Sequence, residues 1–476
     1  MVIKSVLSMS ATNIAKAIVS FAFSMVLARF VPPEQFGLVA FSLPFVALLT
    51  LLTDFGLSTI LIRERILDPE ASGAIICCMI LCGSALSGLL AVFAPAIEHL
   101  SRLAGLTPVL RGFALVTMLA ISAIAPRGLL ERSLRYSLIA AVELSALAAG
   151  VAIFVTVLVR GGGVFALVGY HICFNAVRFV AFGAAALPSF RPSLRLRSVI
   201  PLLRDGGLVM TTNVMSFVAR NVDNLLVGAF LGSKALGLYG LSYQFMTLPL
   251  VLLSWPASGV LLAILSKMDS RMDRTSLISA AISLTANITF PLMTFVGLAL
   301  DFPIRHFYSS HWAGLPQIIL WLAPVGAIQS IAVYNGPVLI ERRKMKLNFI
   351  LGMVNGVGLG LVFVFSVFFN LMVLVMSYTV AAIMVSGILL YYTCRIGEVT
   401  ARQFCQSLLP STTACLVAVA ALYLTRSLSP DSVLQWVQST LIFGITVAAV
   451  YFLFRKDILG DAHKMSVANK LRQAQA

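Results

Sequence analysis

The stretch GGLVMTTNVMSFVARNVDNLLVGAFLG, residues 206–232, is long enough to cross a bilayer, yet it carries Arg220 and Asp223 near its centre. A transmembrane helix needs about 20 predominantly apolar residues. A charge in the middle of such a helix costs roughly 3 kcal/mol or more unless it is paired or hydrated. These two residues therefore indicate a polar face that is turned away from lipid, towards another helix or towards water.

The whole chain has the composition of a membrane protein. Of its 476 residues, 59% are hydrophobic and 11% are charged, whereas soluble proteins are about 45–50% apolar and about 25% charged. The net charge of +16 indicates basic loops at an anionic membrane surface rather than nucleic-acid binding, because no basic domain lies outside the apolar segments. We predict an all-α integral membrane protein with about fourteen transmembrane helices, and a break between two of them at Asn370.

The distribution of basic residues predicts the orientation of the chain. Most of the 34 lysines and arginines fall in the even-numbered loops and at the two termini. Cytoplasmic loops carry an excess of Lys and Arg. We therefore expect both termini in the cytoplasm, and we expect the long polar connection PSFRPSLRLRSVIPLLRDGG (188–207) to be a cytoplasmic linker between two halves.

An internal repeat supports two halves. Residues 11–50 align without a gap on residues 211–250, and the identical pairs are Thr12/Thr212, Asn13/Asn213, Phe30/Phe230, Gly37/Gly237, Leu38/Leu238, Ser42/Ser242, Phe45/Phe245 and Leu48/Leu248. The offset spans six predicted helices, an even number, so the repeats run parallel, as in several transporters. The prediction is an N-lobe (1–190), a linker (191–205), a C-lobe (206–395), two added helices (396–455) and a cytoplasmic tail (456–476).

Polar residues form a stripe on three predicted helices. Steps of three or four residues place side chains on one helical face. The stripes comprise Asn213, Ser216, Arg220 and Asn224 on span 7, Asn13, Lys16, Ser20 and Ser24 at the equivalent positions of span 1, and His171, Asn175 and Arg178 on span 6.

Such stripes must face one another or water. We therefore predict a cationic cavity between the two lobes that binds an anionic group, phosphate being the natural partner of arginine. Its candidate residues are Lys16, Arg29, Arg178, Asn213, Arg220, Asp223 and Asn224.

Structural interpretations of the same residues stay open. Arg220 and Asp223 would also serve as an ion pair that locks span 7 to a neighbour, Lys16 as a snorkelling lysine, and Arg178 as a contact between helices. Asp54 and Glu143 are candidates for gating or coupling, and they would equally serve as partners of loop arginines. The glycine-rich RGGGVFALVG segment (160–169) predicts a tight hairpin between spans rather than a phosphate loop, because no strand precedes it.

The chain resembles the Wzx-type polysaccharide flippases of the multidrug/oligosaccharidyl-lipid/polysaccharide (MOP) exporter superfamily. The resemblance is carried by PEQFGL (33–38), DFGL (54–57), RGLLERSLRYSLIAAVEL (127–144) and RNVDN (220–224). It implies two six-helix lobes with two added helices, a bacterial inner-membrane location and alternating access. The implied substrate is an undecaprenyl-diphosphate-linked oligosaccharide. The motifs mark Asp54, Arg220, Asp223 and Asn224 as candidate functional positions.

The resemblance implies a transporter rather than an enzyme, with no cofactor other than a coupling ion, H⁺ or Na⁺. The lipid bilayer, the lipid-linked substrate and the polymerase and chain-length or export proteins of the pathway are the expected partners. Two alternatives remain. A small-molecule exporter of the same superfamily is disfavoured by the basic stripes, and a membrane polymerase is disfavoured by the short outer loops.

Overall fold

The computed structural model describes residues 2–55, 57–58, 61, 69–193, 214, 217, 221–266, 268, 271–425 and 432–474. The side chains of 2–14, 271–273 and 468–474 lie outside this description. Within the described residues every regular element is a helix, and contacts divide the chain into two compact units, Met1–Gly240 and Leu241–Ala476.

The described residues of the first unit form seven helices and the beginning of an eighth. They are α1 (Val2–Phe30), α2 (Pro33–Asp54), α3 (Pro69–Ser101), α4 (Leu106–Arg132), α5 (Tyr136–Val159), α6 (Phe165–Ala186), α7 (residues 221–226, continued by a π-helical turn at Val227–Leu231) and α8 (Gly232–Pro249). Helix α4 packs against α2, α3 and α6, while α5 packs against α1 and α6. The α5–α6 turn places Gly161 and Gly163 at φ +78° and +52°, which confirms the tight hairpin.

The second unit continues α8 through a π-helical turn at Leu250–Ser254. Its further helices are α9 (Trp255–Leu265), α10 (Arg271–Ala299), α11 (Asp301–Phe307), α12 (Leu315–Ala332), α13 (Asn335–Glu341), α14 (Met345–Ser366), α15 (Leu371–Gly397), α16 (Ala401–Leu424), α17 (Val433–Leu453) and α18 (Arg455–Ala474). The predicted break at Asn370 is confirmed, because its side chain caps α15 by accepting a 2.9 Å hydrogen bond from the Val373 N–H.

The helices have the length and apolarity of membrane spans. Twelve helical stretches of the described residues are long and apolar enough to cross a bilayer, one of which, Asn221–Leu265, contains the predicted span 8 and the end of span 7. Large apolar side chains such as Leu416 and Phe365, exposed by 71% and 69%, lie on their outer faces. A surface of this kind is soluble only in lipid. The chain is a multi-pass, all-α membrane protein, as its composition predicts.

The two repeated segments meet at equivalent glycines. A Cβ atom on Gly37 of α2 would lie 2.0 Å from the carbonyl oxygen of Ser233, and one on Gly237 of α8 would lie 1.9 Å from the carbonyl oxygen of Pro33. Gly37 and Gly237 are equivalent at the repeat offset of 200 residues, and so are the residues they contact, Pro33 and Ser233. The contact is reciprocal, as in a two-fold crossing of two related helices.

The glycine crossing lies within the first unit, which extends to Gly240. It packs the beginning of α8 against α2. The proposed division into an N-lobe (1–190), a linker (191–205) and a C-lobe (206–395) remains a prediction.

A second pair of equivalent features lies in the α4–α5 and α13–α14 turns. Leu134 and Arg343 both have positive φ, +57° and +56°. The N–H of Arg135 donates to the Leu130 carbonyl at 3.0 Å, and the N–H of Lys344 donates to the Leu339 carbonyl at 2.8 Å. The same turn thus recurs at an offset of 209 residues.

Candidate anion-binding site

A buried carboxylate, Glu143, lies at the centre of the candidate site. It stands seven residues after the start of α5. Arg127 stands five residues before the end of α4, and Arg178 stands eight residues before the end of α6. At 1.5 Å per residue these positions lie roughly 8–12 Å from the helix ends. Because α5 runs antiparallel to its neighbours α4 and α6, all three side chains reach the same depth of the helix bundle.

Three cations contact the Glu143 carboxylate. Its Oε2 atom lies 3.2 Å from Lys16 Nζ of α1, and its Oε1 atom lies 3.3 Å from Arg127 Nη1 and 3.2 Å from Arg178 Nε. The Glu143 side chain is only 3% exposed, whereas Lys16, Arg127 and Arg178 are 26%, 25% and 15% exposed. We call these four residues the Glu143 cluster.

Further contacts fix the two arginines. Arg127 Nε donates to Glu131 Oε1 at 2.9 Å, one helical turn further along α4. Arg178 Nη1 donates to Asn175 Oδ1 at 2.9 Å, and its guanidinium lies 5.3 Å from the ring centre of Phe174. An arginine held by an amide and an aromatic ring keeps one orientation, so its planar donors are preorganised for an oxyanion.

The cluster retains a positive charge. Three cations, Lys16, Arg127 and Arg178, stand against two carboxylates, Glu143 and Glu131. Electrostatic attraction is stronger inside a dry bundle than in water. The arrangement therefore suits a multiply charged anion.

The structure brings together Lys16, Arg178 and Glu143 of the predicted residues. The other described ones lie elsewhere. Arg29 is exposed in the last turn of α1, and Asp54 accepts hydrogen bonds from the N–H and hydroxyl of Ser58 at 3.1 and 3.0 Å. Asp223 is buried in α7 and accepts hydrogen bonds from the Tyr239 hydroxyl and from the N–H of Asn224, both at 2.8 Å.

Two predicted residues, Asn213 and Arg220, lie outside the described residues, so a cavity that includes them remains a prediction. Two residues of the site, Arg127 and Glu131, are not among the predicted site residues, because Arg127 lies close to one of the predicted cytoplasmic loops. The signal for them was present in the spacing: Arg127 and Glu131 stand four residues apart, on one face of a helix.

The chain is similar to known proteins along most of its length. It is 24% identical over 338 residues to the lipopolysaccharide biosynthesis protein WzxC of Escherichia coli, covering 68% of this chain and 66% of WzxC. It is 23% identical over 261 residues to the teichuronic acid biosynthesis protein TuaB of Bacillus subtilis, covering 51% and 54%. The matches thus span between half and two thirds of these relatives.

The fold has a solved counterpart. A structure of the lipid II flippase MurJ in an inward closed conformation superposes with a TM-score of 0.73 at 16% sequence identity, covering 96% of this chain and all of that one. The model of the polysaccharide biosynthesis protein family matches residues 26–316, which include most of the Glu143 cluster. The chain is a member of the polysaccharide biosynthesis protein family.

Proposed function

We propose that this protein carries a lipid-diphosphate-linked oligosaccharide across the bacterial inner membrane, and that the Glu143 cluster receives the diphosphate. One observation carries the proposal: three cations from three different helices converge on one buried carboxylate, and α4, α5 and α6 of this cluster are long and apolar enough to cross a membrane. Membrane-embedded charges of this kind mark substrate or ion pathways.

The chemistry of the substrate fits this arrangement. A diphosphate brings several oxygens, and arginine donates to phosphate oxygens in pairs. The lipid tail of such a substrate stays in the bilayer, while its polar head needs a path lined by polar groups. The relatives support this class of substrate, since they are named for lipopolysaccharide and teichuronic acid biosynthesis, and the structural counterpart is named a lipid II flippase.

The proposal includes the orientation of the chain in the membrane and the ion gradient that drives transport. The excess of Lys and Arg in the even-numbered loops supports a cytoplasmic position for both termini. Transport proceeds by alternating access of a site near the middle of the membrane, driven by an H⁺ or Na⁺ gradient, with no other cofactor and no enzymatic step. Asp54, Arg220, Asp223 and Asn224 remain candidate residues of the pathway, and the polymerase and export proteins of the polysaccharide remain its candidate partners.

The test uses a strain that lacks the gene. Lipid-diphosphate-linked repeat units on the cytoplasmic side and polymer at the cell surface are quantified after adding back wild type or Lys16→Met. We expect the repeat units to accumulate inside without the protein, wild type to restore polymer, and Lys16→Met to restore less than about a tenth of it.

A matched control keeps the interpretation clear. Lys464→Met removes the same charge from an exposed ion pair with Asp461 in α18, and it should restore polymer fully. Repeat units that accumulate on the outer side instead would assign the protein to polymerisation. Full rescue by a well-expressed Lys16→Met would remove Lys16 from the substrate path.

A further inference from the structure

The Glu143 carboxylate has two oxygens but contacts three cations. Charge-assisted N–H···O contacts are normally about 2.7–2.9 Å long, whereas its three contacts measure 3.2–3.3 Å. Arg127 reaches the short distance, 2.9 Å, with its second partner, Glu131. The longer distances are therefore a property of the crowded Glu143 carboxylate and not of the arginine.

One donor in the cluster has no hydrogen bond. Arg178 Nε is buried and makes no aligned hydrogen bond to any described residue, although it lies 3.2 Å from Glu143 Oε1. A buried donor without an aligned acceptor is costly. Glu143 thus accepts long hydrogen bonds from Lys16 and Arg127, while it balances the Arg178 Nε donor by charge alone.

The Glu143 carboxylate is more deeply buried than the three cations that contact it. Glu143 is 3% exposed, while each cation is 15–26% exposed. Each cation therefore keeps some surface that Glu143 does not cover and that a second anion can contact. A group with more oxygens than a carboxylate can take over their donors from the exposed side.

We infer that Glu143 is an internal counter-anion that holds Lys16, Arg127 and Arg178 in place while the site is empty, and that a phosphate-bearing substrate head displaces it. The inference rests on the proposed function. Binding is then an exchange of one anion for another, and release is assisted by the return of Glu143 to its cations. Glu143 acts on the substrate through the cations, as a positioning residue.

The exchange predicts that affinity and turnover change in opposite directions. Glu143→Gln keeps the shape of the side chain but removes the competing charge. A diphosphate should then bind at least tenfold more tightly, while polymer output in the complemented strain falls at least threefold because release is slowed. A residue that merely holds the helices together would lower both.

The experiment measures binding to the full-length protein in lipid nanodiscs. The probe is farnesyl diphosphate, titrated calorimetrically into wild type, Glu143→Gln and Glu131→Gln. Glu131→Gln is the charge-matched comparison, because it removes the same charge from the partner of Arg127 alone. We expect its dissociation constant to shift less than that of Glu143→Gln.

A second variant covers the case in which Glu143→Gln does not fold. Glu143→Asp keeps the charge but withdraws the carboxylate by one methylene, so it competes less well for the cations. Its dissociation constant should fall below the wild-type value. Weaker binding by Glu143→Asp, or unchanged or weaker binding by a folded Glu143→Gln, would overturn the counter-anion.

The two proposals fail in different ways. If wild type binds no farnesyl diphosphate and the deletion strain makes normal polymer, the transport function itself is wrong. If wild type binds the probe and restores polymer but the Glu143 variants do not bind more tightly, only the counter-anion is wrong.

Discussion

The hydroxyl of Tyr239 donates a 2.8 Å hydrogen bond to the carboxylate of Asp223, across the junction between α7 and α8. Tyr239 is fully buried and Asp223 is 6% exposed. Gly232, with φ +86°, stands at the junction between the two helices. The bond therefore links two consecutive helices where the backbone departs from helical geometry.

Tyr239→Phe should destabilise the protein. It removes the hydroxyl donor from a buried carboxylate, and leaving such a group short of a partner costs about 1–3 kcal/mol. The loss should appear as a lower midpoint in thermal or SDS unfolding of the purified protein. Asp223→Asn on the Tyr239→Phe background should add much less than it does alone, because the two side chains share one interaction.

The control for this loss is another tyrosine. The Tyr391 side chain is exposed, and its hydroxyl accepts a 3.4 Å hydrogen bond from Arg395. Tyr391→Phe removes this hydroxyl. Its effect should stay within about 0.5 kcal/mol. Equal effects of the two substitutions would show that the Asp223 contact stabilises nothing.

Substitutions of Arg178 separate charge from geometry. Arg178→Lys keeps the charge but loses the planar donors that contact Asn175 and Glu143. Since lysine cannot bind a phosphate with two parallel donors, we expect Arg178→Lys to restore polymer at an intermediate level and Arg178→Ala to restore almost none. The measurement is surface polymer in the deletion strain, normalised to protein in the membrane.

The outcome for Arg178→Lys decides the role of the side chain. Output equal to wild type would mean that only the charge matters. Output equal to that of Arg178→Ala would mean that the bidentate geometry is indispensable.

The glycine crossing should not tolerate a methyl group. Gly37→Ala and Gly237→Ala each place a Cβ within 2.0 Å of a backbone oxygen, and overpacking of this kind costs about 1–3 kcal/mol. Both substitutions push apart the same two helices, so the double variant should lose less than the sum of the single losses. Unfolding of the purified variants gives all three values.

Gly240→Ala is the matched control in α8. Its Cβ would lie 3.5 Å from the Cβ of Ala40, an ordinary contact, and alanine favours a helix over glycine by about 1 kcal/mol. We expect this variant to be as stable as wild type or more so. A loss similar to that of Gly237→Ala would contradict the crossing.

A substitution of Arg220 tests the prediction that the polar stripe on span 7 lines the transport path. Arg220→Ala should insert at the wild-type level, because the substitution removes a charge from an apolar segment. It should nevertheless restore little polymer in the deletion strain. Normal polymer from well-expressed Arg220→Ala would exclude a role in the transport path.

The sequence alone predicts much of this fold, and for physical reasons. Apolar segments of about 20 residues identify the membrane helices. The gapless repeat pairs Gly37 with Gly237, which the structure places in one crossing. Polar stripes on spans 1 and 6 predict Lys16 and Arg178, because membrane-embedded cations need partners, and these two share Glu143.

Other parts of the site depend on contacts that no local pattern contains. Arg127 belongs to the basic residues that mark a loop, but α4 continues to Arg132, which places Arg127 inside the bundle. The Asp223–Tyr239 bond joins residues 16 apart, and it needs the junction at Gly232. Spacing along one helix indicates the Arg127–Glu131 pair, but it predicts neither the contact of Arg127 with Glu143 nor the Asp223–Tyr239 bond.

The turns at Leu134 and Arg343 have the same backbone conformation although one residue is apolar and the other is charged. Its shape is held by main-chain hydrogen bonds and by a left-handed residue that is not glycine in either copy, a conformation that costs roughly 1–2 kcal/mol. A leucine and an arginine occupy the same backbone position, so the side chain there does not determine the turn. Basic residues can therefore be added to or removed from these turns, altering how firmly the chain is oriented during insertion, while the path of the helices stays the same.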